Sequence, residues 1–331
     1  MFGRVIRSGP TPQHVGIIMD GNRRYARSHK MEIKEGHSLG FETMANTLEL
    51  LYESGVTAAT VYAFSIENFN RSSFEVKWLM DLAKAKFTQI NKNGFLCQDY
   101  GIRIKILGNL KLLPPDVLEI LHETEEITKH NTRAVLNVCF PYTSRDEMKN
   151  AIKNVVEEAT RSGIVINEKT LENYLYTADS PPLDLLIRTS GTYRLSDFLL
   201  WQCTSPDCAV MFVDKLWPEF TPWDMFKILI TWGFNKYWYG SSSGDGVNPM
   251  ALAATTLMND GAHAQEKIKD GEDGELIAAS QIQTTGFSRL RSEEDDEEIT
   301  DISSRDVESE NDTITSEEEG EPASQAFTKG Q

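Results

Sequence analysis

Long apolar runs are missing from this 331-residue chain. No window offers the roughly 20 apolar residues of a membrane-crossing helix. Met1–Pro12 carries Arg4 and Arg7 but no apolar core of signal-peptide length. Any membrane association is therefore expected to be peripheral or through a partner. Cysteine is scarce. Cys97, Cys139, Cys203 and Cys208 show no paired metal-ligand spacing, so they read as reduced thiols of a cytosolic protein. Neither Gly-x-Gly-x-x-Gly nor Gly-x-x-x-x-Gly-Lys-Ser/Thr occurs, which argues against an ordinary dinucleotide site or P-loop. Positive charge is in deficit as well. The formal net charge is −17, and no nucleic-acid partner is expected.

That deficit belongs to one end. Residues 241–331 hold 22 acidic and 6 basic side chains, whereas 1–240 hold 28 and 27. The tail includes the run Glu293–Glu298, has few aromatics and lacks a sustained apolar period, so disorder is expected. A patch at Met250–Met258 reads as a transient helix. The chain thus divides into an N-terminal segment (1–12), one domain with a sizeable core (13–240) and an acidic tail (241–331).

Within the domain, strands and helices alternate. Strands are expected at His14–Met19, Thr57–Phe64, Ile102–Leu107, Ala134–Phe140, Leu183–Ile187 and Ala209–Val213. Helices are expected at Gly36–Ser54, Phe74–Ile90, from Pro114 to about Lys129, Ser144–Ser162 and Pro222–Tyr237. The alternation predicts an α/β fold, a single domain with a mostly parallel central sheet flanked by helices.

Three polar clusters each follow a predicted strand. In Ile17–Arg24 an apolar run stops at Asp20, then continues Gly21, Asn22, Arg23, Arg24. A carboxylate beside two guanidinium groups suits a Mg²⁺-bound phosphate ester, although Asp as a helix cap is the plainer alternative. Phe64–Arg71 supplies the Ser65 hydroxyl, the Asn68 and Asn70 amides and Arg71, or else simply leads into a helix capped by Ser72 or Ser73. In Arg188–Asp197, Arg188 and Arg194 stand six apart around Gly191, with Ser196 two further on. That arrangement can wrap a diphosphate, or the arginines can pair with surface carboxylates. In a parallel sheet the three clusters converge at one edge, which favours a polyanion site. His37, at the start of a predicted helix, can join backbone N–H groups in holding phosphate. The helices at 39–51 and 74–90 carry Leu, Met, Phe and Trp with small residues between them. A diphosphate site beside such faces suits an amphiphile with a charged head and a hydrocarbon tail.

These strings together resemble the cis-prenyltransferase family, the undecaprenyl and dehydrodolichyl diphosphate synthases. They are His14–Arg24, Gly36-His37, Tyr62–Arg71, Asp184–Gly191, Arg194–Gln202 and Leu216-Trp217-Pro218-Glu219. The similarity runs in order over about 12–240, and the wording Arg-Leu-Ser-Asp-Phe-Leu-Leu-Trp-Gln looks like the eukaryotic, dolichol-making branch. The resemblance implies that Asp20 is the Mg²⁺-dependent catalytic carboxylate. It implies that Gly21, Asn22, Arg23 and Arg24, with Tyr25, His37, Phe69 and Arg71 nearby, bind the allylic starter, farnesyl diphosphate. Ser65 and Asn68 would lie at the reacting centre. Arg188, Arg194 and Ser196 would hold isopentenyl diphosphate.

The chain departs from many bacterial members in three places. Thr192 stands where they have Glu, Cys203–Ala209 replaces a stretch with a metal-linked Glu and offers only Asp207, and Ile33 replaces an arginine. No Arg-x-Gly follows Trp217, whereas homodimeric members end in such a segment. By resemblance to eukaryotic members, a second subunit of the Nogo-B-receptor type would supply it. The implied location is the cytosolic face of the endoplasmic reticulum, with lipid droplets as a second one. Two alternatives compete: a non-catalytic scaffold of the same fold, and a Mg²⁺ phosphatase. A scaffold has no need of Asp20, Asn68, Arg188 and Arg194. The phosphatase would need a second Asp where Asn22 stands.

Overall fold

The computed structural model describes residues 2–93 and 101–239. Cys97, the Met250–Met258 patch and the acidic tail lie outside the described residues. Six parallel strands form one sheet: β1 (His14–Ile18), β2 (Ala58–Tyr62), β3 (Ile102–Leu107), β4 (Ala134–Cys139), β5 (Leu185–Arg188) and β6 (Ala209–Phe212). Their spatial order is β3-β4-β2-β1-β5-β6. The helices are α1 (Phe2–Ile6), α2 (Asn22–Ser28), α3 (Ile33–Glu53), α4 (Ser73–Asn93), α5 (Pro115–Thr128), α6 (Ser144–Ser162), α7 (Glu168–Glu172) and α8 (Pro222–Tyr239). The expected α/β architecture is present. The short α1, α2 and α7 were not expected: α2 reads Asn-Arg-Arg-Tyr-Ala-Arg-Ser and buries only Ala26, so it has no apolar period to reveal it.

Alternation along the strands sends side chains to two cores. Val15, Ile17, Val61, Leu185 and Ile187 join α3 and α8 residues such as Leu48, Leu51 and Ile228 on one face. Ile18 and Leu186 pack with Tyr142, Leu183, Phe198 and Leu199 on the other. β1 is buried at all five positions, as a central parallel strand must be. The chain crosses from β1 to β2 on one side and returns to β5 on the other. The carboxyl end of β1 is thus a topological switch point, where open α/β sheets form their binding crevice.

Candidate active site

At that switch point lies a cavity of about 770 Å³. Its polar end is lined by Asp20–Arg24, His37, Ser65, Asn68 and Arg71. Arg188, Arg194 and Ser196 line it too. Its other end is apolar, walled by Phe41 and Met44 of α3, Leu79, Leu82 and Phe87 of α4, and sheet residues including Leu136 and Val138. Tyr25 and Phe69 do not line it. The Tyr25 ring stacks on His29 at 4.0 Å, and the Phe69 ring meets Phe64 edge-on at 5.0 Å.

Asp20 leaves β1 with its backbone held on two sides. Its carbonyl accepts from Thr189 Oγ1 (2.7 Å) and from the Trp217 backbone N–H (3.0 Å). The next residue, Gly21, has φ +118°, and a Cβ there would lie 2.9 Å from the Trp217 nitrogen. Only glycine takes that turn readily. The Trp217 indole donates to Gly40 O (2.7 Å), and a Cβ on Gly40 would stand 2.3 Å from Asn22 Oδ1. The Leu-Trp-Pro-Glu motif is thus a peg locking α3 against the β1 loop.

The Asp20 carboxylate takes a 2.9 Å bond from Arg188, whose side chain is only 4 % exposed, and stands 3.5 Å from Arg24. Burial pushes this carboxyl up, but hydrogen bonds from Arg188 and Ser190 and the two guanidinium charges outweigh it, and the net shift is downward. Asp20 is therefore ionised. Arg188 also donates to Ser196 Oγ (2.7 Å) and to the Arg194 carbonyl, while Arg194 Nε donates to Ser196 Oγ (3.2 Å). Arg24 donates to Ser190 O (2.9 Å) and to the hydroxyls of Ser190 and Thr192, so the loops after β1 and β5 are stitched together.

Ser65 and Asn68 belong to a 3₁₀ turn, Ile66–Asn70, directly after β2. The Ser65 backbone N–H donates to Asn68 Oδ1 (3.1 Å), and Ser65 Oγ accepts from the Glu67 N–H (3.1 Å). Asn68 is thereby oriented by its carbonyl oxygen. Glu75 receives Arg71 at 2.8 Å and Arg23 at 3.6 Å. His37 lies one turn inside α3, which begins at Ile33, and not at a helix start as expected from the sequence. It packs on Trp78 at 5.6 Å. Burial, helped by the charges of Arg71 and Arg23, pushes its imidazole down to about 4, so it is neutral near pH 7. Asn22 Oδ1, His37 Nε2 and Arg188 Nε are buried without a protein partner. Unpaired buried polar atoms are costly, and their gathering at one end of a cavity suits a polar ligand.

The cavity wall includes two residues that no sequence motif singled out. Lys86 stands 4.5 Å over the Phe41 ring at the apolar end. Arg145 sits at the mouth between Asp197 (2.7 Å) and Glu67 (3.5 Å), so Asp20 is the wall carboxylate that does not pair with it. Asp207, the only acid in the 203–209 stretch, pairs with Lys236 at 2.7 Å and does not line the cavity. Among the described residues no group of three or more His, Cys, Asp or Glu forms a metal cage. Mg²⁺ fits nonetheless, because it is commonly held by one carboxylate plus substrate phosphates and water.

Residues 18–240 match the family model Prenyltransf, described as "Putative undecaprenyl diphosphate synthase". A dehydrodolichyl diphosphate synthase complex subunit of Schizosaccharomyces pombe is 49% identical over 233 residues, covering 70% of this chain and 88% of the relative. The corresponding human subunit is 47% identical over 234 residues, 70% of each chain. Among solved structures, lavandulyl diphosphate synthase from Lavandula x intermedia, in complex with dimethylallyl diphosphate, matches with a TM-score of 0.63 and 30% identity. The match covers 67% of this chain and 95% of that one.

Proposed function

The chain belongs to the cis-prenyltransferase family, and from that premise we propose that it is the catalytic subunit of a dehydrodolichyl diphosphate synthase. It condenses isopentenyl diphosphate onto farnesyl diphosphate, with cis geometry, to give long polyprenyl diphosphates for dolichol synthesis and protein glycosylation. One observation carries this reading: Asp20, Arg24, Arg188, Arg194 and Ser196 meet at the polar end of a cavity whose other end is apolar. A scaffold would gain nothing from lining a cavity with an ionised carboxylate and buried polar atoms that have no protein partner.

In this reading the allylic diphosphate lies against Asn22, Arg23, Arg24, His37 and Arg71, with its hydrocarbon between α3 and α4. Isopentenyl diphosphate lies against Arg188, Arg194 and Ser196. Mg²⁺ held by Asp20 would neutralise charge on the departing diphosphate. The allylic C–O bond breaks, and the pair of electrons leaves with diphosphate, where Arg23 and Arg24 meet the charge that develops. The homoallylic double bond attacks the allylic carbon, and loss of a proton leaves the new cis double bond. Asn68, fixed through its carbonyl, lines the cavity beside Ser65 and can donate through its amide N–H groups to a diphosphate oxygen. Neutral His37 donates to phosphate oxygen without needing a proton from solvent. The solved neighbour binds an allylic diphosphate, which supports an allylic substrate for this site.

The relatives are named as complex subunits, and we take a Nogo-B-receptor-type chain bearing a C-terminal Arg-x-Gly segment as the partner. Among the described residues no helix is long and apolar enough to cross a membrane. Peripheral association with the cytosolic face of the endoplasmic reticulum follows from this reading. The test is incorporation of labelled isopentenyl diphosphate onto farnesyl diphosphate with Mg²⁺. Activity is expected when this chain is paired with the partner subunit and lost in the paired Asp20→Ala variant. A folded, associated pair without activity would overturn the reading.

A further inference from the structure

Ser196, Asp197 and Leu199 all adopt left-handed backbone, with φ of 50°, 61° and 47°. Non-glycine residues adopt that backbone at a steric cost and persist there only when the surroundings hold them. The surroundings are the first turn of α6. The Ser144 N–H donates to Asp197 O (2.8 Å), and the Leu200 N–H donates to Ser144 Oγ (2.8 Å). The Asp197 carboxylate accepts from the Arg145 backbone N–H (3.1 Å) and from Arg145 Nε (2.7 Å). The side chain of Asp197 is 12 % exposed, and a carboxylate at a helix N-terminus is favoured by the helix dipole. The second arm of Arg145 reaches Glu67 (3.5 Å), in the turn that carries Ser65 and Asn68. One side chain thus spans the cavity mouth from the turn after β2 to the loop after β5.

We propose that Arg145 and Asp197 are a positioning pair for the homoallylic half of the site. They hold the strained loop so that Ser196 Oγ stays within reach of both Arg188 and Arg194, which leaves the two guanidinium groups converging on one diphosphate. The pair does not touch the reacting carbons; it acts through Ser196. This inference rests on the prenyltransferase reading above.

The test is steady-state kinetics of the complex with its partner subunit, varying each substrate in turn. Asp197→Asn and Arg145→Met each raise KM for isopentenyl diphosphate about tenfold, with kcat within about threefold and KM for farnesyl diphosphate within about twofold. The double variant is no worse than the more damaging single one, because both remove one interaction. Arg145→Lys, which keeps the charge, recovers part of the loss. The Arg145 side chain is 72 % exposed, so its replacement spares the core. A KM for isopentenyl diphosphate that does not move overturns the proposal. So does an equal rise in both KM values, which would mean electrostatic steering at the mouth, or a fall in kcat alone, which would mean loss of folded enzyme. An inactive wild-type complex would instead count against the proposed function.

Discussion

The loop after β1 reaches the cavity with Asp20–Arg24 and runs directly into α2. The loop after β5 runs through coil, bends and turns from Thr189 to Trp201 before it ends in the short 3₁₀ turn Gln202–Thr204. The first is shaped locally: one left-handed glycine turns the chain, and α2 presents Arg23 and Arg24 from adjacent positions. The second is shaped from outside. Its apolar residues Phe198 and Leu199 are buried in the core on one sheet face, its left-handed residues are clamped by α6, and its arginines are held by Ser196 and Asp20. A loop that lines a cavity can therefore be shaped by a short sequence rule or by tertiary enclosure. Substitutions should hurt the two for different reasons.

Arg188, at the end of β5, bonds to both loops, so its replacement is the most severe test of the contrast. Arg188→Met removes a nearly buried cation that bridges Asp20 and Ser196. Single-turnover rate is expected to fall about a hundred- to a thousandfold. A loss confined to KM for isopentenyl diphosphate would show that the loops work independently. Gly21→Ala comes next, because the local loop depends on its one glycine. Strain at φ +118° and the 2.9 Å approach to Trp217 N should cost about 1–3 kcal/mol of stability, read from the urea midpoint. If the alanine variant is as stable as the parent, the loop is not locally specified. The smallest effect is on acid stability. His37 is held near 4 in the folded protein and His14 is also pushed down, chiefly by burial. The unfolded chain then binds more protons below about pH 6.5. Stability is full above that pH and declines as pH falls toward about 4. His37→Asn should make this decline shallower in pH-dependent thermal unfolding; an unchanged slope would mean that the imidazole titrates normally.

The same contrast explains what could be read from the sequence. Strand ends carry their own signal, an apolar run stopping at a polar residue, so the sequence sets Asp20, Ser65 and Arg188 at strand ends, and the sheet brings them together, with Arg188 as the last residue of β5. The switch point follows from the order of parallel strands, and α3 and α4 announce themselves by apolar period. Arg145 gave no such signal. It lies in an amphipathic helix among ordinary surface charges, and its partner Asp197 is 52 residues away. The sequence does not show that His37 lies one turn inside its helix, because α3 starts at Ile33 without a side-chain cap. Phe69 falls within a matching string and Tyr25 directly follows one, yet their rings pack on Phe64 and His29. Adjacency along the chain does not determine which face a side chain joins. The role of Trp217 as a peg depends on close approaches to Gly21 and Gly40 that only coordinates show.

That peg also bears on how the protein is made. Asp20 is bonded to Arg188 across 168 residues, and the Trp217 indole to Gly40 across 177. β1, synthesised before both of its neighbours, is a central strand whose second neighbour is β5. Until residue 188 has been synthesised β1 has one open edge, and until residue 217 the Asp20 carbonyl lacks its Trp217 partner. Long-range pairing of this kind slows folding and leaves apolar strands waiting in the open. Nascent chains stalled before that tryptophan should accordingly be the species that chaperones hold, and catalytic competence should appear as one of the last events of folding.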